Sequence, residues 1–321
     1  MAGVTLSPSP AQPQALTDLS PEQAAEVRAL AARAAVADGV GPLSEHAGHA
    51  LTAGGDGGVQ HLLAYAGDGL AGYAQVVGGA DAALEMVVDP RHRRQGVGSD
   101  LWAAVAGAHP EARVWAHGNL PAAQGFAAAR GLEPVRELHK MSRSLHPEDA
   151  DPASITLPAG FSARAFVPGQ DEQAWLEANA AAFADHPEQG RMSLADLRDR
   201  MAQDWFDPSG FIIVEANDAP GAVAAFHWTK VDPEQRSTLD PAATAGEVYV
   251  VGVHPAYQGR GLARPLTALG LAHLAGLGLP EVVLYVDGDN PAALQTYSRL
   301  GFRSIMVDVM YSRATHDPLS G

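Results

Sequence analysis

Two stretches of this chain carry the same alternation of apolar and polar positions. The first reads Ala82-Ala-Leu-Glu-Met-Val-Val-Asp-Pro90 and continues Arg91-His-Arg-Arg-Gln-Gly-Val-Gly98. The second reads Glu247-Val-Tyr-Val-Val-Gly-Val-His-Pro255 and continues Ala256-Tyr-Gln-Gly-Arg-Gly-Leu-Ala263. In each, a short β-branched run predicts a buried strand. Proline ends the run, because it has no N–H to give to a sheet ladder. A glycine turn then leads into a helical pattern, Ser99 to Ala108 in the first stretch and Leu262 to Leu277 in the second. Strands are predicted next, over Arg113 to Ala116 and Glu281 to Val286. Pro121-Ala-Ala precedes Gly131-Leu132 by ten residues, and Pro291-Ala-Ala precedes Gly301-Phe302 by the same interval. Pro291 to Leu300 reads as the helix of that segment, with a final strand after it. The shared order is an internal repeat. It predicts two copies of one α/β fold, each built on a mixed sheet of α+β character.

The 321 residues suit two domains of about 150 residues each. The boundary falls at 146–160, which holds three prolines and three acids with little apolar content. This predicts an N-terminal domain over 1–145 and a C-terminal domain over 161–321. Phe161 to Gly169 reads as an edge strand opening the second copy. Asp171 to Ala184 reads as a helix, followed by His186-Pro-Glu-Gln-Gly190.

Composition narrows the classes. Hydrophobic residues at 46% and charged residues at 18% support packed cores rather than disorder. The net charge of −16 repels phosphate backbones, so nucleic acid is a poor partner. Cysteine is absent, which removes disulfides, thiolate metal sites and a cysteine nucleophile. The first twenty residues lack a basic start followed by an apolar run, and no apolar run approaches ~18 residues. A cytoplasmic, membrane-free monomer is expected. His46 and His49 share a helical face, but no third ligand accompanies them, so no metal is expected.

The glycine turn has a chemistry of its own. A strand, a tight turn and a helix aim free backbone N–H groups at one point, where the helix dipole adds positive potential. Gly259 and Gly261 permit the turn, and Gln258, Arg260 and Arg264 add donors at its rim. The segment is not a dinucleotide fingerprint. It lacks the third small residue, and its strand ends several residues before the glycines.

These residues resemble the GNAT acetyltransferases, whose signature is Gln/Arg-x-x-Gly-x-Gly/Ala after a strand and a proline. Gln258-Gly-Arg-Gly-Leu-Ala263 and Arg93-Arg-Gln-Gly-Val-Gly98 both match it. Asn290, Tyr297 and Gly301-Phe302 match the family's later elements. The resemblance implies two tandem GNAT-type domains that use acetyl-CoA as cosubstrate. In the second copy it implies cofactor contacts at Val251, Gly252, Val253, Gln258, Gly259, Arg260, Gly261, Leu262, Ala263 and Arg264. Further contacts follow at Asn290, Pro291, Ala292, Ala293, Leu294 and Gln295. In the first copy it implies contacts at Met86, Val87, Val88, Arg94, Gln95, Gly96, Val97, Gly98 and Ser99. That cradle binds acetyl-CoA or is a vestige; the residues leave both open. The run Arg91 to Arg94 is expected to meet phosphate there.

Amine acetylation needs a neutral amine, a polarised carbonyl and a proton for the leaving thiolate. Glu247 stands four residues before Val251, so in a regular strand both would face one side, with Glu247 as proton acceptor. Tyr297 is suitably placed to protonate the thiolate, and the resemblance implies the same two roles. Ungapped alignment of the copies sets Ala82 opposite Glu247, Ala127 opposite Tyr297 and Leu120 opposite Asn290. A shifted gap brings Phe126 near Tyr297, and phenylalanine has no acidic proton. The second copy is therefore the expected catalyst. Glu281 reads as a solvated charge.

A narrower resemblance rests on His186-Pro-Glu-Gln-Gly190, Phe226-His-Trp-Thr-Lys230, Glu247 to Val253 and Leu284-Tyr-Val-Asp-Gly-Asp-Asn290. It points to tandem members of the family that acetylate the cysteinyl amine of a sugar-inositol, a small-molecule acceptor. It implies acceptor contacts at Glu188, Lys230, Glu247 and Tyr285, with Glu45 from the first copy, and so an acceptor lying between the domains. The chain departs from that pattern in a longer insert between Lys230 and Glu247, expected to be a loop without a catalytic part. A tandem enzyme for another small amine or a protein N-terminus, and a non-catalytic acyl-CoA sensor, remain as alternatives.

Overall fold

The computed structural model describes residues 12–51, 58–78, 82–184 and 187–313. In chain order the first half forms β1 (Gln14–Leu16), α1 (Pro21–Asp38), α2 (Glu45–Ala50), β2 (Val59–Ala66), β3 (Gly69–Val77), β4 (Ala83–Val88), α3 (Val97–Ala108), β5 (Arg113–Ala116), α4 (Pro121–Ala128) and β6 (Leu132–Ser144). The second half forms β7 (Phe161–Ala165), α5 (Glu172–Ala182), α6 (Pro187–Gly190), α7 (Leu194–Met201), β8 (Phe211–Ala216), β9 (Val223–Lys230), β10 (Gly246–Val253), α8 (Ala263–Gly276), β11 (Glu281–Asp287), α9 (Pro291–Arg299) and β12 (Arg303–Arg313).

The chain makes two compact units, neither of them a continuous segment. One holds the described residues up to Leu138 with Asp287–Asp289 and 306–313; the other holds the described residues of His139–Val286 and Asn290–Ile305. The strand order is β1-β2-β3-β4-β5-β12 in the first and β6-β11-β10-β9-β8-β7 in the second. Each unit thus closes one side of its sheet with a strand supplied from the other half of the sequence. Val309, Met310 and Tyr311 of β12 pair antiparallel with Ala116, Trp115 and Val114 of β5.

Each sheet is covered on both faces. In the first unit, Val27, Leu30 and Ala34 of α1 pack on Leu63 and Tyr73. Leu101, Trp102 and Val105 of α3 pack with Leu62, Ala74 and Leu84 in a separate cluster. In the second unit, Trp175 of α5 and Leu197 of α7 pack on Phe211, Phe226 and Trp228. Leu271 and Leu274 of α8 pack with Val248, Val282 and Leu284. The α1 helix is held at both ends. Ser20 and Gln23 make a reciprocal capping box, and Gly39 closes the helix at φ 73°.

One expectation is overturned. Glu281 is not solvated. It is fully buried and accepts hydrogen bonds from the Ser142 hydroxyl, the Ser237 hydroxyl at 2.7 Å, and the N–H and hydroxyl of Thr238, both at 2.6 Å. Burial alone would raise its pKa, and these donors outweigh that and hold the carboxyl below its ordinary value. Within segment 146–160, Leu157 packs against the cluster of Leu262 and Leu266.

Candidate functional site

β10 lies between an antiparallel partner and a parallel one. It pairs with β11 only over Gly246, Glu247 and Val248, whereas its pairing with β9 continues to Val253. Beyond Val248 that edge of β10 no longer pairs with β11. The first unit repeats this. β4 pairs with β5 at Ala83 and Leu84 but stays on β3 as far as Val88.

The two strands differ by one inserted residue. β10 bulges between Val248 and Val250, while no register shift interrupts β3 and β4. Glu247 lies directly opposite Lys230 and above Val283, and Ala83 holds the same place opposite Val77 and beside Arg113. Arg113 and Val283 stand equally far before Pro121 and Pro291. The counterpart of Glu247 is therefore Ala83, not Ala82, and still no carboxylate. The bulge also reverses an expected alignment. Glu247 and Lys230 are cross-strand neighbours and so share a face. Tyr249 and Val250 belong to the aromatic cluster beneath α5 and α7. Val251 instead packs among Leu266, Leu271 and Leu274 on the α8 side.

Glu247 is only 8% exposed and Lys230 only 2%, which removes both from the ordinary surface. The Lys230 ammonium lies 3.3 Å from Asp232, 5.1 Å from the Trp205 ring centre and 5.7 Å from that of Tyr249. Arg200 Nε donates to the Tyr249 hydroxyl at 3.0 Å. Asp232, Trp205 and Arg200 were not anticipated from the pattern of the sequence.

The turn after β10 has the geometry that its glycines predict. Gly259 and Gly261 stand at φ 74° and 80°, a region that costs other residues about 1–2 kcal/mol. No side chain caps α8, so its first-turn N–H groups are not claimed by a cap. Gln258, Arg260, Ala263 and Arg264 are exposed around it, while Leu262 points into the core. Arg260 lies 5.1 Å over the Tyr257 ring. Gly252 is buried, and a Cβ there would stand 2.6 Å from the Phe226 ring.

Asn290 caps α9, its side chain accepting from the Ala293 N–H at 3.0 Å. Pro291, Ala292 and Gln295 are exposed at the start of that helix, and Ala293 and Leu294 join the core. Tyr297 lies edge-on to Phe302, and burial pushes its hydroxyl up to about 12, so it keeps its proton at neutral pH. Tyr285 is 43% exposed, with the Lys140 ammonium 5.5 Å over its ring. Glu188 lies on α6 with its side chain outside the described residues, and His186 is outside them altogether. Glu45 begins α2 on the surface, 3.7 Å from His49.

In the first unit a cavity of about 590 Å³ opens between β4 and β5. Of the residues expected to contact acetyl-CoA, Met86, Val87, Val88, Arg94, Gly96, Gly98 and Ser99 line this cavity. Val97 does not, being buried with α3 in the core, and Gln95 turns back to the Arg91 carbonyl. Arg94 occupies the position of Gly259 and carries φ 63°, a strained angle for a side-chain-bearing residue. The expected basic run is largely spent on carboxylates. Arg91 and Arg33 hold the buried Asp89, and Arg93 grips Asp38 with two bonds of 2.7 Å. His117, unanticipated, lines the cavity between Glu85 at 3.3 Å and Asp308 at 3.1 Å. Burial opposes its charge, but the two carboxylates outweigh that and push it up to about 9.

The comparisons agree with this duplicated geometry. The sequence model of the Acetyltransferase (GNAT) family matches residues 175–302, and that of the Acetyltransferase (GNAT) domain matches residues 57–131. Mycothiol acetyltransferase of Kytococcus sedentarius is 46% identical over 294 residues, covering 92% of this chain and 95% of its own. Those of Rhodococcus jostii and Streptomyces avermitilis are 46% and 47% identical, over 94% and 93% of this chain and 98% and 94% of theirs. The chain belongs to the mycothiol acetyltransferase family. This member has the fold of solved tandem proteins. A GCN5-related N-acetyltransferase from Sphaerobacter thermophilus superposes with a TM-score of 0.69 at 24% identity, over 94% of this chain and 95% of that one. A tandem GNAT protein from the clavulanic acid biosynthesis pathway gives 0.66 at 18%, over 92% and 96%. As a mycothiol acetyltransferase family member the chain is an acetyl-CoA-dependent N-acetyltransferase. No helix among the described residues is long and apolar enough to cross a membrane.

Proposed function

We propose that this chain transfers acetyl from acetyl-CoA to the cysteinyl amine of 1D-myo-inositol 2-(L-cysteinylamino)-2-deoxy-glucopyranoside, completing mycothiol, and that the second copy does the work. The observation that carries this reading is a buried carboxylate, Glu247, at the head of a cradle whose twin has alanine in its place. Near-full-length similarity to mycothiol acetyltransferases supplies the acceptor. In sequence terms the catalyst is the copy over 161–321, joined through 146–160 to a non-catalytic copy over 1–145.

The residues present suit acetyl-CoA. The uncapped start of α8 and the glycine turn offer backbone N–H groups to the pyrophosphate. Asn290 and the residues from Pro291 to Gln295 border the pantetheine arm, and the open edge of β10 at Val251 to Val253 holds the acetyl end. Acetyl-CoA brings the thioester whose carbonyl carbon is attacked. Glu247 takes a proton from the acceptor ammonium, directly or through water, leaving a nitrogen lone pair to form the new C–N bond. Backbone N–H groups of the β10 edge stabilise the negative oxygen that develops. As the C–S bond breaks, the Tyr297 hydroxyl gives its proton to the sulfur, and the second proton that the nitrogen sheds on becoming an amide restores the tyrosine. Lys230, Tyr285, Glu188 and Glu45 are the proposed acceptor contacts. The cavity of the first unit would hold acetyl-CoA without turnover, since Ala83 cannot accept a proton.

Mass spectrometry of the acceptor after incubation with acetyl-CoA tests this. Gain of one acetyl group on the cysteinyl nitrogen is expected; an acceptor left unchanged by the full chain would sink the assignment. The composition and the acidic surface favour a cytoplasmic monomer that meets neither nucleic acid nor membrane.

A further inference from the structure

Leu84 is the last residue of β4 that pairs with β5. Beyond it, side chains bridge the two strands. β4 is regular, so Ala83, Glu85 and Val87 lie on one face, with Ala83 in the place that Glu247 holds in the second copy. From that face Glu85 reaches His117 at the end of β5, 3.3 Å away, and Asp308 of β12 backs the ring at 3.1 Å. The side chains of Glu85, His117 and Asp308 are 13%, 13% and 8% exposed, so each charge is buried against an opposite one.

Glu85 also anchors the connection between α1 and α2. Its carboxylate accepts from the Ser44 N–H and the Ser44 hydroxyl, both at 2.6 Å. At the other end of the connection, Asp38 accepts the two 2.7 Å bonds from Arg93. Between these anchors Val40, Gly41 and Pro42 line the cavity, as Trp115 and His117 do from β5 and just beyond it. Val40 packs on Gly118, which stands at φ 66° and where a Cβ would lie only 3.0 Å from the valine. Glycine there lets the connection lie directly on the end of β5.

Resting on the reading of the first cavity as an acetyl-CoA site, we infer that residues 39–44 are a strap, locked by Glu85 and Asp38, that closes the Ala83 face of that cavity. Coenzyme held under the strap exchanges slowly, and its thioester is kept from amines. Ala83 is then one of two reasons for the first copy's silence. An amine approaching from that face meets the strap and the Glu85–His117 pair before it meets the thioester carbon.

Acetyl-CoA labelled in its acetyl group tests this on the full chain without any acceptor. Wild-type protein loaded with the label and chased with unlabelled coenzyme should release one equivalent about tenfold more slowly than the other. Gly261→Ala, which weakens the second cradle, shows which equivalent is which. Glu85→Ala removes the inner anchor, and Val40→Gly loosens the strap without touching a charge. Each should speed release of the slow equivalent about tenfold and leave the fast one unchanged. The Ser44 amide gives a readout that needs no coenzyme. Bonded to Glu85, it should be protected from hydrogen exchange in wild type and lose that protection in Val40→Gly. Two equally fast equivalents, or a slow one that neither variant speeds, overturn the strap. Protein that retains only one coenzyme contradicts the coenzyme reading of the cavity, and the Ser44 amide then decides the strap by itself. Neither readout uses the acceptor, so an acceptor left unacetylated counts against the functional reading alone.

Discussion

Glu247 shares a sheet face with Lys230 and not with Val251, because a single residue, Tyr249, is inserted between them. No pattern of apolar and polar positions announces such an insertion. The run Val248-Tyr-Val-Val251 reads equally well as a regular strand. The identity of the carboxylate was legible, while its face and its true counterpart, Ala83, required the register. Tyr297 was legible in the same way, since it lies between two recognisable markers, Asn290 and Gly301. Its buried hydroxyl, held up to about 12, stays protonated throughout the neutral range. Replacing Tyr297 by Phe keeps the ring against Phe302 and removes the proton. We expect kcat to fall about 10²-fold, with little change in the acetyl-CoA KM, in steady-state assays. Gly261→Ala puts a side chain at φ 80° with no more than an ordinary contact, to Pro158 at 3.8 Å, so the cost is conformational, about 1–2 kcal/mol. It should raise the acetyl-CoA KM more than it lowers kcat.

At the scale of elements, the strand–turn–helix units were legible because proline and glycine punctuate them. β5 runs over the predicted residues, and α8 and β11 begin within one residue of theirs. The α1 helix was passed over, although Ser20-Pro-Glu-Gln23 is a capping sequence and Gly39 a helix stop. Contacts between elements were beyond reach, since they depend on which faces meet. Gly270 of α8 is one such contact. A Cβ there would overlap the His227 ring on β9, so Gly270→Ala should cost about 1–3 kcal/mol in denaturant unfolding. His117 joins β4, β5 and β12 through Glu85 and Asp308. Its folded pKa of about 9 exceeds the unfolded value near 6.5, so the folded state binds more protons between them. Its stabilisation is complete below about pH 6.5 and is lost as pH rises through about 9. His227 runs the other way: burial lowers it to about 4, so stability also falls as pH drops from about 6.5 toward 4. Unfolding free energy should therefore peak near pH 6.5. His117→Gln should flatten the alkaline side of that curve in urea titrations.

For the whole molecule, the duplication was plain in the sequence, but the exchange of closing strands was not. Residues 306–313 belong with the first unit, and described residues from His139 belong with the second. Sequence order favours cutting at the proline-rich segment, whereas β5 requires β12 as its antiparallel neighbour. A fragment of residues 1–145 should thus lack stable amide protection over β5, and hydrogen exchange on it would show whether that strand needs β12. One copy alone is the proposed catalyst. The direct measurement is the acetylation rate of the cysteinyl-glucosaminyl-inositol amine by wild-type protein and by Glu247→Gln, alongside acetyl-CoA binding to each. Glu247 as proton acceptor predicts product from wild type, a loss of about 10²–10³-fold in kcat for the variant, and acetyl-CoA binding kept. A Glu247→Gln protein that acetylates at the wild-type rate would contradict it.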